Sequence, residues 1–254
     1  MPPHDLSPLF LALIFAAAVW AGAQNALAGG GSFITLPVLM LTGLDARTAN
    51  ITSTVALFPG QVSTGWAGRR LVSGAEGLSF RTLTAISLVG GAVGAVLLLV
   101  TPASFFEKLL PWLVLFATGA FAWGSFGRAP TAASGLPPPA AVALQFAIAI
   151  YGGYFGGGIG FLMIAVLTLA RLPVRTAGAT KNVLVAVMNF TAVLVFLFSG
   201  QVRWTQAGVA AVGAIGGGLL GAWLLRRANE RLLRAAVIGI GTLLTVGLFV
   251  RAYG

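Results

Sequence analysis

The chain of 254 residues has no cysteine, one histidine and only five acidic residues. Without cysteine it has no disulfides, no thiolate metal sites and no cysteine nucleophile. The single histidine is His4, next to the N-terminus. The acids all lie in predicted loops or at the ends of apolar runs: Asp5, Asp45, Glu76, Glu107 and Glu230. This distribution disfavours proton relays and hydrolases inside the membrane, because both need buried carboxylates or histidine.

Charge of either sign is scarce. Only 8% of the residues are charged while 58% are hydrophobic, and the mean hydropathy is +0.97. A soluble domain carries about 25% charged residues. Apolar segments fill nearly the whole chain, which predicts an all-α polytopic protein in a lipid bilayer, with no extramembrane domain.

The net charge of +10 has a topological interpretation. The basic residues lie mostly singly or in pairs between apolar runs, as in loops that orient membrane helices near anionic headgroups. No basic face with interleaved aromatics exists, so nucleic acid is not a predicted partner. No Walker loop is present, and no cofactor is predicted.

A glycine-rich break occurs twice in the sequence. Adding 128 carries Gly29 and Gly30 to Gly157 and Gly158, and Phe33 to Phe161. The same register carries Arg47-Thr48-Ala49 to Arg175-Thr176-Ala177. An offset that persists over more than twenty residues indicates an internal duplication.

The apolar runs predict two homologous membrane repeats, residues 1–127 and 140–254, joined by a proline- and glycine-rich linker at 128–139. Ten membrane segments are predicted, at about residues 7–28, 32–42, 48–67, 82–100 and 109–126, and 140–154, 161–170, 176–198, 207–225 and 232–250. At ~1.5 Å per residue, segments 32–42 and 161–170 cover only about half to two-thirds of a ~30 Å hydrocarbon core. They are therefore half-helices, re-entrant pieces or short tilted spans.

The count of eight to ten segments depends on those two short pieces. Arg226, Arg227, Arg231 and Arg234 form the densest basic cluster, which we place in the cytoplasm. If both short segments cross, each half has five spans, the repeats are inverted, and the other basic loops also fall inside. If they are re-entrant, the count is eight and the loop at Arg69 falls outside, against this bias. We favour ten segments in an inverted pair.

Small residues recur in both halves as well. Gly90, Gly91 and Gly94 lie in one predicted span, and Gly217 and Gly218 match the first two at an offset of 127. In lipid, small residues at this spacing allow helix backbones to approach closely. We expect tight helix packing at both places.

Residues around both breaks resemble the TauE/SafE sulfite-exporter family. In the first half they are the Gly29-Gly-Gly31 break, Pro37, Leu39 and Gly43-Leu. In the second half they are Gly156-Gly-Gly158, then Ala177-Gly-Ala-Thr-Lys-Asn182, and Asn189. The resemblance spans essentially the whole chain. It implies a carrier in the cytoplasmic membrane that exports small anions, with sulfite and organosulfonates as the associated substrates.

The breaks have a chemical interpretation of their own. Unwound backbone at membrane depth is tolerated only where it is buried in protein or lines a wet cavity. A half-helix that begins at Ser32 or Gly160 would present free N–H groups and a positive dipole end, which together attract anions. The alternative is that the glycines serve close helix packing alone.

Lys181 is predicted to lie about six residues inside a membrane helix, where a cation is costly unless it pairs, meets a substrate or snorkels. No acid lies inside a predicted span, so an anionic substrate is the predicted partner, and snorkelling is the alternative. Neutral polar residues near the breaks would add donors, although each alone could equally hydrogen-bond between helices. The candidate site is Lys181, Asn182, Asn189, Thr180, Thr52, Ser53, Thr54, Gln61, Ser32, Gly30, Gly31, Gly157 and Gly158.

These features predict a multi-pass carrier of the cytoplasmic membrane that exports a small anion and is not an enzyme. An inside-negative potential assists anion efflux without a coupled ion. An anion channel and an intramembrane enzyme remain alternatives, and the sequence leaves a homo-oligomer open.

Overall fold

A computed structural model of the protein describes residues 7–27, 29–75, 77–126, 137–170, 172–224 and 230–254. Throughout this part of the chain the secondary structure is helical, apart from turns and one isolated β-bridge. The helices are α1 (Pro8–Leu27), α2 (Ser32–Leu41), α3 (Ala46–Gly68), α4 (Phe80–Val100), α5 (Ala103–Phe126), α6 (Pro138–Tyr154), α7 (Ile159–Leu169), α8 (Val174–Leu197), α9 (Trp204–Leu224) and α10 (Glu230–Tyr253). A short 3₁₀ turn, Arg69–Leu71, follows α3.

Helix length and hydropathy support a polytopic membrane protein. Among the described residues, five helices are long and apolar enough to cross a bilayer, namely α1, α4, α5, α8 and α10. Helix α3 has 23 residues, but its hydroxyl and amide side chains lower its hydropathy. The two predicted short segments are confirmed as α2 and α7, with 10 and 11 residues. The total of eight to ten crossings stays a prediction.

Eight of the ten helices begin earlier than the sequence predicts, seven of them by two or three residues and α5 by six. Helix α5 starts at Ala103 instead of residue 109, because Glu107 and Lys108 form part of its first turns and Glu107 pairs with Arg251 at 3.1 Å. Helix α6 starts at Pro138, inside the predicted linker. Proline suits the first turn of a helix, because the N–H group that it lacks would have no acceptor within the helix there. Residues 127–136 of that linker region lie outside the described residues.

Helix packing follows the predicted duplication. The pairing of α1 with α9 has its counterpart in α6 with α4, and that of α3 with α9 in α8 with α4. Likewise α2 packs on α3 and α10 as α7 packs on α8 and α5. The equivalent helices also contact each other directly, α3 with α8 and α5 with α10.

The helices in each of these two pairs, α3 with α8 and α5 with α10, run antiparallel. Gln61 near the end of α3 contacts Asn189 of α8. Gly68 at the end of α3 lies against Ala179, which is nearly three turns closer to the start of α8. In the outer pair, Glu107 at the start of α5 meets Arg251 at the end of α10. Equivalent helices of the two halves therefore point in opposite directions at these two contacts.

Close glycine packing is confirmed in both halves. A Cβ on Gly217 of α9 would overlap the carbonyl oxygen of Val19 in α1, and a Cβ on Gly94 of α4 would overlap that of Ile150 in α6. Gly218 differs, since its nearest outside atom lies 3.9 Å away. Helices α1 and α9, and likewise α4 and α6, thus approach each other closely across the boundary between the two halves.

Polar caps fix the turn between α2 and α3. The exposed Asp45 is the N-cap of α3, and its Oδ1 accepts from the backbone N–H groups of Arg47 and Thr48, both at 3.0 Å. Arg47 Nη1 donates to the carbonyl oxygens of Leu99 (3.3 Å) and Thr101 (2.7 Å) at the end of α4. Partial burial raises the pKa of Asp45, but the hydrogen bonds from Thr48 and Arg47 outweigh it, so the net pKa is lowered.

We expect Asp45→Ala to destabilise the protein by about 1 kcal/mol, the usual cost of losing an N-cap. Because the folded-state pKa of Asp45 is lowered, its contribution is present above the unfolded-state pKa and is lost as the pH falls through the folded-state value. Thermal melting in detergent should show a higher melting temperature for wild type than for Asp45→Ala. This difference should shrink as the pH falls below the ordinary pKa of aspartate. Asp45→Asn is the control, since it keeps the acceptor oxygen without the charge. Equal melting of wild type and Asp45→Ala near neutral pH would contradict the prediction.

Candidate functional site

The first break lies between α1 and α2, and side-chain amides form hydrogen bonds with its unwound backbone. Gly29 and Gly30 adopt φ of 90° and 80°, which side-chain-bearing residues rarely adopt. The Nε2 group of Gln24 donates to the carbonyl oxygens of Gly29 (3.3 Å) and Gly30 (3.2 Å). Asn25 Oδ1 accepts from the N–H of Gly31 at 2.8 Å. The amides at the end of α1 therefore satisfy part of the backbone that the unwinding frees.

The second break lies between α6 and α7 and uses a different device. Gly156 and Gly158 have φ of 73° and 72°. The hydroxyl of Tyr151 donates to the carbonyl oxygen of Gly157 at 2.9 Å. The positions equivalent to Gln24 and Asn25 are glycines here, 152 and 153. The unwound backbone is thus kept in both halves while the side chains that support it differ.

Each break packs against the short helix of the other half. The ring of Phe33, in the first turn of α2, lies 3.0 Å from where a Cβ on Gly157 would be and 3.3 Å from one on Gly158. The ring of Phe161, in the first turn of α7, lies 3.2 Å from the corresponding position on Gly30. Phe33 and Phe161 are equivalent residues of the duplication. The two breaks therefore meet inside the protein.

A small cavity of about 30 Å³ lies where they meet. Both short helices contribute their first residues to its wall, and α3 and α8 contribute polar side chains. The lining residues are Asn25, Gly29, Gly30, Ser32, Gln61, Thr64, Gly156, Ile159, Gly160, Lys181, Asn182 and Val185. This volume holds on the order of one or two water molecules. A larger guest requires the surrounding helices to move apart.

Lys181 supplies the charge of this cavity. The residue is only 4% exposed, so its side chain does not reach the protein surface. Within the described ranges it makes no ion pair and no hydrogen bond through its ammonium group. The acids whose side chains are described are elsewhere: Asp45 caps α3 and Glu107 pairs with Arg251. A buried ammonium without a partner is costly, which marks this residue as a candidate ligand.

Gln61 and Asn189 join the two halves beside the cavity. Asn189 Nδ2 donates to Gln61 Oε1 at 2.6 Å, and the two residues are 128 positions apart. They are therefore equivalent positions of the duplication in direct contact. Asn189 Oδ1 is buried and has no hydrogen-bond donor among the described residues.

Several predicted site residues point away from the cavity. Thr52 Oγ1 accepts from the N–H of Arg203 at 3.2 Å, and Thr180 Oγ1 accepts from the N–H of Ser73 at 3.0 Å. These threonines are equivalent positions, and each tethers a loop. Ser53 Oγ lies 2.6 Å from Thr35 Oγ1, joining α3 to α2.

The remaining predicted residues shape the breaks or lie along α3. Thr54 Oγ1 donates to the carbonyl oxygen of Asn50 at 2.9 Å within α3. Gly31, Gly157 and Gly158 do not line the cavity, although Gly156 does. The structure therefore brings together Lys181, Asn182, Gln61, Ser32 and Gly30, with Asn189 bonded to Gln61.

Sequence reasoning did not select Asn25, Thr64 or Gly156 for the site. Asn25 follows Gln24 at the end of an otherwise apolar span, and this pair of amides just before a triple glycine is the signal that could have found it. Thr64 lies about one turn beyond Gln61 on the same face of α3. Gly156 begins the second glycine run.

The site has the parts for binding an anion. It combines one cation, neutral amides and hydroxyls, and the first residues of two helices. Among the described residues, no group of three or more histidines or acids could hold a metal ion. The described lining therefore contains one cation and neutral polar groups, with no histidine or carboxylate side chain.

The sequence model described as "Sulfite exporter TauE/SafE" matches residues 14–248. The chain belongs to this family. The TauE/SafE match covers both breaks, the cavity and Lys181, so the duplication and the site both lie inside the matched region.

Curated relatives of this TauE/SafE chain are named as transporters. The chain is 28% identical to the probable membrane transporter protein YfcA of Escherichia coli (strain K12) over 254 residues, covering 98% of this chain and 93% of the relative. It is 28% identical over 251 residues to a probable membrane transporter protein of Haemophilus influenzae, covering 95% of each chain. A third relative, the probable membrane transporter protein YunE of Bacillus subtilis, is 32% identical over 114 residues, 42% of each chain. No solved structure gives a significant match.

Proposed function

We propose that the protein is a secondary carrier that exports small anions, such as sulfite or organosulfonates, across the cytoplasmic membrane. The observation that carries this proposal is the buried, unpaired ammonium of Lys181 in the cavity where the two helix breaks meet. Membership of a transporter family supports the general activity. The sulfite exporters that give the family its name suggest the substrates.

The energetics of the site favour a bound anion. Holding an ammonium near the centre of a membrane helix costs about 2.5 to 3.5 kcal/mol or more. A negatively charged guest offsets this cost directly. The amides of Asn25, Gln61 and Asn182 and the hydroxyl of Ser32 are available to surround its oxygens. The first residues of α2 and α7 also line the cavity, and the positive ends of these helix dipoles favour negative charge there.

An inverted repeat would give this site two-sided access. The antiparallel contacts of α3 with α8 and of α5 with α10 support this relation between the halves. So does the matched pattern of helix pairs. In carriers built this way, one repeat rocks against the other around a site at the bilayer midplane. The small cavity corresponds to a closed stage, which rocking would open to one side at a time.

Export fits the charges available. An inside-negative potential drives an anion outward with ~2.3 kcal/mol per charge per 100 mV. The described side chains place no carboxylate in the cavity to bind a coupling proton. We therefore favour facilitated or weakly coupled efflux.

Flux in liposomes tests the proposal. Purified protein is reconstituted, the vesicles are loaded with isotopically labelled sulfite, and a potassium gradient with valinomycin sets the potential. We expect efflux to rise when the inside is made negative, to saturate with concentration, and to show counterflow with unlabelled sulfite. Counterflow distinguishes a carrier from a channel. Flux equal to that of protein-free liposomes, for both sulfite and methanesulfonate, would overturn the proposal.

A further inference from the structure

The part of the chain that the structure describes gives the lining of the cavity one full charge. Of the twelve lining residues, Lys181 is the only one that is ionised near neutral pH, and the others are neutral amides, hydroxyls, glycines and two aliphatic side chains. Arg47, the arginine nearest in sequence to the polar stretch of α3, is committed to the end of α4. Arg203 and Arg175 lie at the start of α9 and in the first turn of α8.

Resting on the proposed function, we propose that this single buried charge selects singly charged oxyanions over doubly charged ones of the same size and shape. The preferred substrates would be sulfonates and hydrogensulfite. Sulfate and the sulfite dianion would be poor substrates. The sum of the charges on the cavity wall sets this order.

The reason is that two energies scale differently with the charge of the guest. The cost of removing an ion from water rises with the square of its charge, about fourfold from a monoanion to a dianion. Attraction to a fixed positive charge rises only in proportion, about twofold. One ammonium therefore compensates a monoanion far better than a dianion.

The helix starts do not reverse this order. Each helix N-terminus is equivalent to at most about half a positive charge. Their attraction, like that of Lys181, grows linearly with the charge of the guest. Hydrogen bonds from neutral amides and hydroxyls are stronger to a sulfate than to a sulfonate, but this attraction also grows only about in proportion to the charge of the guest. A dianion fully enclosed here would therefore remain undercompensated.

Methanesulfonate and sulfate are the matched probes, because replacing one oxygen by a methyl group changes the charge and leaves the size and the three-oxygen face nearly unchanged. Wild-type protein in liposomes is assayed with each labelled anion, and each is used unlabelled to compete against the other. We expect methanesulfonate to be carried at least tenfold faster and to compete at least tenfold better. Equal transport, or a preference for sulfate, would overturn the inference and leave anion transport itself standing. Absence of transport and of competition by either anion would overturn the inference, and it would overturn the proposed function as well if labelled sulfite were also not carried.

A second charge in the cavity should shift the preference. Val185 lies one helical turn beyond Lys181 and lines the same cavity. We expect Val185→Lys to narrow the ratio of methanesulfonate to sulfate transport at least fivefold. Val185→Met introduces a side chain about as long as that of lysine but without charge, and it should slow the transport of both anions to the same extent. A ratio that changes equally in the two variants would show that bulk determines the preference, contrary to the inference.

Discussion

Lys181→Met is expected to abolish anion flux, lowering it at least a hundredfold, while it raises the melting temperature of the protein. Lys181 is 4% exposed and unpaired among the described residues. Replacing its ammonium with a thioether removes a desolvation cost of about 2.5 kcal/mol or more, so the fold should become more stable. The proposed anion at the same time loses the one full charge that the described residues place in the cavity. Loss of activity together with gain of stability is the signature of a residue retained for binding.

The chain offers a matched control for this change. It contains two lysines, and the other, Lys108, is exposed near the start of α5. Lys108→Met makes the same substitution and removes the same net charge far from the cavity. We expect this variant to keep wild-type flux, which excludes an effect of overall charge. Wild-type flux in Lys181→Met would show that the ammonium is not a ligand.

Gly217→Ala is expected to lower stability by about 3 kcal/mol or more and to reduce the yield of folded protein severely. The added methyl group would overlap the carbonyl oxygen of Val19, and backbone on both sides leaves no side chain that can move aside. The seam between α1 and α9 must therefore widen, which costs about 1 to 3 kcal/mol in an ordinary core and more where only backbone can yield. Thermal melting in detergent and the monodisperse fraction after purification measure the effect.

The neighbouring glycine is its control. Gly216 lies one residue earlier in α9, and a methyl group added there would meet no atom within 4 Å among the described residues. Gly216→Ala should leave stability unchanged or raise it by up to about 1 kcal/mol, because alanine favours the helix. Similar melting of the two variants would show that the α1–α9 seam tolerates widening.

The helical plan of the protein could be predicted from its sequence because lipid imposes simple rules. Apolar runs gave the order of the helices, and the two short ones, α2 and α7, followed from segment length alone. The glycine offset of 128 indicated the duplication that the helix pairing reproduces. The starts of α5 and α6 were placed too late, because charged residues and proline were interpreted as loop although both are compatible with the first turns of a helix.

The cavity was harder to predict because composition does not give the direction of a side chain. Thr52 and Thr180 share a helix with cavity residues, yet each accepts from a loop N–H instead. The helical repeat identifies which residues share a face, but not which neighbour that face meets. Lys181 was identifiable because its burial is costly whatever surrounds it. Asn25 lies at the site because it accepts a hydrogen bond from the unwound backbone at Gly31. The path of that backbone cannot be predicted from sequence periodicity.

The crossed placement of Phe33 and Phe161 links the two halves mechanically. Each ring belongs to one half and rests on the unwound glycines of the other. Tilting α2 withdraws Phe33 from the second break, and tilting α7 withdraws Phe161 from the first. Both rings lie across the boundary between the two halves. A movement of one half along the other therefore disturbs both contacts at the same time. In the proposed carrier, this crossed packing would couple the opening of one side to the closing of the other through shape.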